Sequence, residues 1–201
     1  NTIKVAKEVI GIQDGYNHFG AMHIMTGKKG TLFLADTLIN RHPSVETLTD
    51  VVRLTHHAVS FFAHNPVMAM LSYSNFGADT KGSPVRVHDV IRYMHEKHPD
   101  IIIDGEMQAN FALDKKMRDA KYPFSKLNGK DVNTLIFPNL NSANIAQKLM
   151  QEMGGAEMIG PIQMGLNKPV HFTDIESSVR DIINITTVAV IDAIVQEKIK
   201  K

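Results

Sequence analysis

Short apolar runs alternate with amphipathic segments along most of the chain. Residues 19–25 and 31–35 are predicted to pair as a hairpin, because Gly27 and Gly30 can both take positive φ in the turn between them. The residues before this hairpin, with an apolar run at 9–12, are assigned to the same β-rich segment. Beyond it, the hydrophobic period predicts helices at 44–65, 85–97, 113–120, 141–153 and 177–200, and strands at 67–71, 101–103, 132–137 and 156–159. Apolar strands that alternate with helices predict an α/β sheet covered on both faces.

Capping residues mark the ends of two of these helices. Ser44 is expected to N-cap the first long helix, with Glu46 in its first turn favourable to the helix dipole. Gly154 and Gly155 are expected to end the helix that starts near residue 141.

The last helix is as apolar as a buried element, yet it follows a stretch rich in glycine and proline at residues 160–169. We expect this stretch to be a linker that carries the helix away from the sheet. The predicted apolar stripe must then be covered by a partner chain or by the chain's own sheet, since isolated helices of this length are marginal in water. The stripe consists of Val179, Ile182, Ile183, Val188, Ile191 and Ile194.

Composition excludes several classes of function. Twenty-two Lys and Arg balance twenty-one Asp and Glu in 201 residues, so the charge of +1 gives no sign of nucleic-acid or anionic-membrane binding. The absence of cysteine excludes disulfides, thiolate metal sites and a cysteine nucleophile. The chain starts at Asn1 without an initiator Met or a signal core, and we expect an excised piece of a longer cytoplasmic protein.

Polar loops follow three of the predicted strands, where open α/β sheets bind ligands. They begin near Ser72, Asp104 and Pro138, and turn formation explains their composition about as well as a ligand site does. Asp104 and Glu106 could form an acid/base pair for catalysis. Two carboxylates separated by one residue more often fix a turn and cap a helix, and this is the alternative interpretation. Residues 77–83 resemble a phosphate-binding P-loop in spacing but lack its lysine, and the ten histidines show no metal-ligand spacing.

Taken in order, these loops resemble the phosphate acetyl/butyryl transferase family. The closer match is to the C-terminal phosphotransacetylase-like region of large bacterial NADP-dependent malic enzymes. The resemblance covers nearly the whole chain. Its motifs are Leu71-Ser72-Tyr73-Ser74-Asn75-Phe76-Gly77, Asp104-Gly105-Glu106-Met107-Gln108-Ala109, Phe137-Pro138-Asn139-Leu140-Asn141 with Asn144-Ile145-Ala146, and Gly165-Leu166-Asn167-Lys168-Pro169-Val170-His171.

The resemblance implies a three-layer α/β/α sandwich related to isocitrate dehydrogenase, as the C-terminal portion of a two-lobed unit. Residues 1–160 would form most of the second lobe, and residues 161–201 a linker and a terminal helix that returns to the absent first lobe. It also implies a homo-oligomer, at least a dimer, with contacts through the hairpin at 19–35 and its neighbouring helices.

A departure from the family pattern bears on activity. Active members follow the Lys-Pro loop with Ser-Arg-Gly, whose arginine helps to bind phosphate and CoA. Here Asp174 replaces the serine and Ile175 the arginine, while Asp181 remains at the position of the family's catalytic base. Losing the cation and gaining a carboxylate should repel phosphate, so we expect no catalytic residue here and regard these three positions as vestigial.

The resemblance then implies regulation, with acetyl-CoA as an allosteric effector. NADP, a divalent metal and the decarboxylation of malate would belong to the absent part of the parent protein, and no cofactor or metal is expected in this region. A truncated phosphate acetyltransferase and a ligand-free assembly module remain as alternatives. The predicted acyl-CoA ligands are Ser74, Asn75, Asn141, Asn144, Lys168, Ser177, Ser178 and Arg180.

Overall fold

A computed structural model describes residues 2–27, 30–62, 65–173 and 175–199. Its strands are β1 Gly20–Gly27, β2 Gly30–Ala35, β3 Met68–Leu71, β4 Ile103–Met107, β5 Thr134–Ile136 and β6 Glu157–Met164. Its helices are α1 Thr2–Ile10, α2 Val45–Phe61, α3 Ser83–Lys97, α4 Ala109–Leu113, α5 Lys115–Lys121, α6 Leu140–Gly154 and α7 Val179–Ile199.

The six strands form a single sheet in the order β4-β3-β5-β2-β1-β6. Strands β2 to β5 run parallel, while β1 is antiparallel to both of its neighbours, β2 and β6. All strands except β1 therefore end at the same edge of the sheet. We call it the carboxyl edge, and it gathers the loops in which the sequence predicts a site.

Helices cover both faces of the sheet, which confirms the three-layer prediction. On one face, α2, α3 and α7 bury a core that includes Met22, Phe33, Met68 and Ile103. On the other face, residues of α4 and α6 pack on a second core around Leu34, Ala69, Leu135 and Met107. Alternate residues of β2 and β3 thus enter different cores, as the pleat requires.

The predicted caps are present. Ser44 accepts a hydrogen bond from the backbone N–H of Thr47 at the start of α2. Gly155 ends α6 in the left-handed conformation, with φ of 55°, which a residue without Cβ takes at little cost.

Residues 2–10 correct the β-rich assignment, because they form α1. Ile3, Ala6 and Ile10 recur at helical spacing and pack against Phe19 and Leu166. Val5 and Val9 lie on the other side of the helix and are exposed. The apolar run at 9–12 therefore spans the end of a helix and an isolated bridge from Ile12 to Leu166.

Residues 160–164 are not a linker, because β6 continues through Gly160 and Pro161 and pairs with β1. A proline is tolerated there because β6 is an edge strand with an unpaired side. Gly160 is required by close packing: a Cβ at this position would lie 2.7 Å from Cδ2 of His23. The assignment of residues 1–160 to a second lobe, and of the terminal helix to an absent first lobe, stays a prediction.

The chain's own sheet covers only a small part of the stripe predicted for α7, and coverage of the rest by a partner chain stays a prediction. Val188 is buried together with Ile185, which the prediction omitted, and these residues pack the helix against the core that includes β6. The five other stripe residues are between 42% and 74% exposed: Val179, Ile182, Ile183, Ile191 and Ile194. Apolar side chains surround α7 on nearly every side, so its period does not determine which face is buried.

The hairpin at 19–35 is also poorly placed as a contact surface. Its two strands are interior strands of the sheet, and residues 19–24 and 33–35 are buried under the flanking helices.

Among the described helices, none is long and apolar enough to cross a membrane.

Candidate functional site

The loop after β3 is held by a fully buried carboxylate. Oε1 of Glu106, at the carboxyl edge of β4, accepts hydrogen bonds from the Ser74 hydroxyl at 3.2 Å and from the Gly77 N–H at 2.6 Å. The Ser74 hydroxyl in turn accepts a bond from the N–H of Asp79. Ser74 is 5% exposed, so its hydroxyl stabilises the loop and is not accessible to a ligand.

The neighbouring polar side chains are likewise committed to the chain. Asn75 accepts a hydrogen bond from the Gln108 N–H, which ties the β3 and β4 loops together. Asp104 accepts bonds from the Ser125 hydroxyl and the Lys126 N–H, in a network separate from that of Glu106. Both carboxylates therefore hold turns, which is the alternative that the sequence left open.

A polar cavity of about 450 Å³ opens beside the carboxyl ends of β2 and β6. His23 of β1 lines it with Thr37, which follows β2, and with Asn144 and Lys148, one turn apart on α6. Thr173 and Phe172 approach from the segment after β6, and the first residues of α1 complete the wall. We call this space the His23 cavity.

His23 is an uncharged hydrogen-bonding group at neutral pH. Burial lowers its pKa to about 4, with a smaller contribution from the positive charge of Lys148. Its Nδ1 lies 2.7 Å from the Thr37 hydroxyl, and that hydroxyl donates its proton to the carbonyl of Ala21. Nδ1 is therefore engaged by Thr37, and Nε2 is the imidazole nitrogen left for a ligand.

The walls of the His23 cavity carry one cation, two side-chain amides, three hydroxyls and an imidazole. This set suits a polar ligand that carries amides or a single negative charge. Among the described residues there is no group of three or more His, Asp or Glu side chains that could hold a metal ion.

Lys168 lies in a different cavity, of about 390 Å³, between α2, α7 and residues 165–170. Its walls are largely apolar, with His57, Asp192 and Gln196 as further polar residues. Lys168 and Asn144 were predicted to share one ligand, but they line separate cavities.

The start of α7 is occupied by a capping box. The Asp181 carboxylate accepts bonds from the N–H and the hydroxyl of Ser178, and the Ser178 hydroxyl accepts one from the Asp181 N–H at 3.2 Å. These bonds from Ser178 lower the pKa of Asp181. Arg180 pairs with Glu157 at 2.7 Å, so its charge is already engaged.

The signature segment before α7 presents no cation. Ile175 is fully exposed, Ser177 is half-buried, and Asp174 lies outside the described residues. Asn141 is exposed on the first turn of α6. The N–H groups of Leu140 and Ser142 in that turn already bond to Asn40 and Asn139, which reduces its capacity for an anion.

Of the eight predicted ligands, only Asn144 therefore lines the His23 cavity. His23, Thr37 and Lys148 are not among the ligands predicted from the sequence. Lys148 could have been found, because it stands one helical turn after Asn144. His23 sits alone in an apolar strand and carries no local signal.

Comparison with known proteins finds similarity to phosphate acyltransferases and to malic enzymes. The family model described as phosphate acetyl/butaryl transferase matches residues 1–190. The chain is 35% identical over 190 residues to an NADP-dependent malic enzyme of Salmonella typhimurium, covering 94% of this chain and 25% of the enzyme. It is 33% identical over 186 residues to a phosphate acetyltransferase of Mycoplasma capricolum, covering 92% of this chain and 58% of that protein.

The fold comparison agrees. A phosphotransacetylase from Streptococcus pyogenes superposes with a TM-score of 0.90 at 30% identity, covering 96% of this chain and 59% of that one. A phosphotransacetylase from Staphylococcus aureus gives a TM-score of 0.89 at 27% identity. The chain thus spans about a quarter of the malic enzymes and just under 60% of the transferases.

Proposed function

The chain belongs to the phosphate acetyl/butaryl transferase family, and we propose that it is the regulatory, oligomer-forming region of an NADP-dependent malic enzyme that binds acetyl-CoA as its effector. The decarboxylation of malate to pyruvate and CO₂, with its NADP and divalent metal, then belongs to the rest of the parent protein. The identity to the malic enzyme of Salmonella typhimurium supports this parentage.

The observation that carries the proposal is the missing anion clamp before α7. Ile175 stands exposed at the position of the arginine in the family's signature, and Arg180 is paired with Glu157. Asp181, at the position of the family's base, is bonded within the capping box. A transferase must hold a phosphate against the thioester, and an exposed isoleucine offers that phosphate no hydrogen bond.

The His23 cavity supports binding without transfer. A pantetheine chain carries two amides and an acyl thioester, which are neutral groups that donate and accept hydrogen bonds. Asn144, Thr37 and Nε2 of His23 match those groups, and Lys148 can contact a thioester or phosphate oxygen. We assign the acyl-pantetheine end of acetyl-CoA to this cavity.

A homo-oligomer, at least a dimer, is part of the proposal. An apolar stripe on α6, made of Ile145, Leu149 and Met153, is between 54% and 84% exposed at spacings of four residues. Such a stripe suits helix-to-helix contact across a two-fold axis. Light scattering should give a mass of at least two chains, and Leu149→Lys should reduce it.

The second candidate is a truncated phosphate acetyltransferase that moves acetyl between CoA and phosphate. It is favoured by the 33% identity to the transferase of Mycoplasma capricolum, of which the chain covers 58%. Acetyl phosphate formation from acetyl-CoA and phosphate distinguishes the two. We expect turnover more than about a hundredfold below that of an active relative, or about 2.7 kcal/mol in barrier.

Variants of the cavity test the proposed site. Lys148→Met should weaken acetyl-CoA binding several-fold in calorimetry, because it removes the charge from the wall of the His23 cavity. Lys97→Met, at the far end of α3, is the matched control and should leave binding unchanged. If both variants and the unaltered chain bind acetyl-CoA with equal affinity, the assignment of acetyl-CoA to the His23 cavity is contradicted.

A further inference from the structure

Four aromatic rings cluster at the carboxyl ends of β3 and β4, apart from the His23 cavity. The Phe76 ring lies 4.8 Å from that of Tyr122 and 5.0 Å from that of Phe124, and Phe111 lies 5.1 Å from Tyr122. Phe111 is buried, whereas Phe124 is 69% exposed. We call Phe76, Tyr122 and Phe124 the aromatic platform.

Buried polar groups hold this platform in place. Arg118 is fully buried, and its guanidinium donates to the carbonyls of Ala112, Leu127 and Lys130 on both sides of the loop that carries Phe124. Asp104 accepts from the residues next to Phe124, through the Ser125 hydroxyl at 2.7 Å and the Lys126 N–H at 2.8 Å. An exposed aromatic ring is thus fixed by two charged side chains that lie in the interior.

Phe76 takes a backbone conformation that bulky residues avoid. Its φ is 47°, and its N–H donates to the carbonyl of Glu106 at 2.8 Å. Such strain at a residue of this size is typical of positions that present a side chain for function.

Cations surround the platform. The Lys121 ammonium lies 5.2 Å from the ring centre of Phe111 and 5.8 Å from that of Tyr122. Besides the buried Arg118, residues 114–131 carry five Lys against three Asp, and the exposed Lys126 follows Phe124 by two residues in the sequence. A flat exposed ring flanked by lysines suits a nucleotide. The base can stack on the ring, and the ammonium groups can pair with the phosphates.

We infer that the aromatic platform stacks the adenine ring of acyl-CoA, with Lys121 and Lys126 facing the phosphates of its nucleotide end. This inference rests on the proposed function and extends it to a second subsite. Phe76 packs on the core that α6 also covers, so the platform and the His23 cavity lie on the same face of the sheet. Three strand spacings separate β3 from β1, or about 15 Å, a distance that the pantetheine diphosphate chain must bridge.

The test uses adenosine 3′,5′-bisphosphate, acetyl-CoA and acetyl-pantetheine as calorimetric probes of the 201-residue chain. Phe124→Ala should weaken binding of the bisphosphate and of acetyl-CoA about tenfold, or about 1.4 kcal/mol, and leave acetyl-pantetheine unchanged. Phe124→Tyr keeps the ring and should bind like the unaltered chain. Tyr93→Ala, which removes another exposed aromatic residue on α3, is the matched control.

The outcomes separate the inference from the proposed function. Acetyl-CoA binding that Phe124→Ala leaves unchanged would overturn the inference and preserve the function. Bisphosphate binding that depends on Phe124, without acetyl-CoA binding, would overturn both the proposed function and the acyl-CoA assignment and leave a site for another adenine nucleotide. A loss of oligomer mass in Phe124→Ala, with all three probes bound as before, would make the platform a protein interface and overturn the inference.

Discussion

Acidification should weaken the fold through the buried imidazole of His23. The pKa of His23 is about 4 in the folded chain and 6.5 in the unfolded chain, because burial and Lys148 disfavour the imidazolium. Between these values the unfolded chain binds the proton and the folded chain does not, so the free energy of unfolding falls as the pH falls. The gap between the two pKa values corresponds to about 3.4 kcal/mol in the free energy of unfolding. About 2 kcal/mol of this stability is lost between pH 7 and pH 5.

Urea unfolding at pH 7 and pH 5 measures this loss in the unaltered chain and in His23→Gln. Glutamine does not titrate and can still hydrogen-bond Thr37, so the variant should lose about 2 kcal/mol less than the unaltered chain. His56 and His171 also have pKa values lowered by burial, and their contributions cancel in the comparison. Lys148→Met should show an intermediate loss, because His23 then titrates at a higher pH. If the unaltered chain and His23→Gln lose equal stability, the burial of a neutral His23 is refuted.

Four further variants test the packing by urea unfolding at pH 7. Ser74→Ala removes a hydroxyl that bonds Glu106 and a backbone N–H, and should cost about 1–3 kcal/mol; a loss below about 0.5 kcal/mol would contradict its structural role. Val188→Ala should cost about 2 kcal/mol and Ile191→Ala less than about 0.5 kcal/mol, because Val188 is 7% exposed and Ile191 is 42% exposed; equal losses would contradict the packing of α7. Gly160→Ala should cost about 1–3 kcal/mol, because its Cβ would enter the imidazole ring beside it and its φ is 144°; an unchanged midpoint would exclude that contact.

The order of the strands and of the long helices from β1 onward could be predicted from the apolar runs and the helical period. The single helix predicted at 113–120 is instead two short helices, α4 and α5. Ser44 and Gly155 act as their sequence positions predict. Strand ends were less certain: β4 extends to Met107 and buries Glu106, although a carboxylate normally signals exposure. Glu106 is buried because the β3 loop supplies donors to it, and those donors are distant in sequence.

The terminal elements could not be predicted for a different reason. In α1, the run at residues 9–12 obscured the helical spacing of Ile3, Ala6 and Ile10. In α7, apolar side chains occur on almost every side, so tertiary packing and not the local period selects Ile185 and Val188 for burial. At β6, Gly160 and Pro161 are typical of a loop, but an edge strand accepts both.

The loops at the carboxyl edge were predicted as a region, while the individual ligands were not. Ser74, Asn75 and Asp181 have the chemistry of ligands, and the same chemistry fixes a turn or caps a helix. The His23 cavity forms from β1, β2, α6 and the segment after β6. Residues so far apart in sequence become neighbours only when the sheet order is known.

The central claim is that this region binds acetyl-CoA but does not transfer its acetyl group. Calorimetric titration of the 201-residue chain with acetyl-CoA, in buffer containing inorganic phosphate, tests both parts, because heat of binding and continuing heat of reaction differ in form. We predict a saturable binding isotherm, and intact acetyl-CoA recovered from the cell. A flat titration would contradict binding, and steady heat with accumulation of acetyl phosphate would contradict the loss of transferase activity.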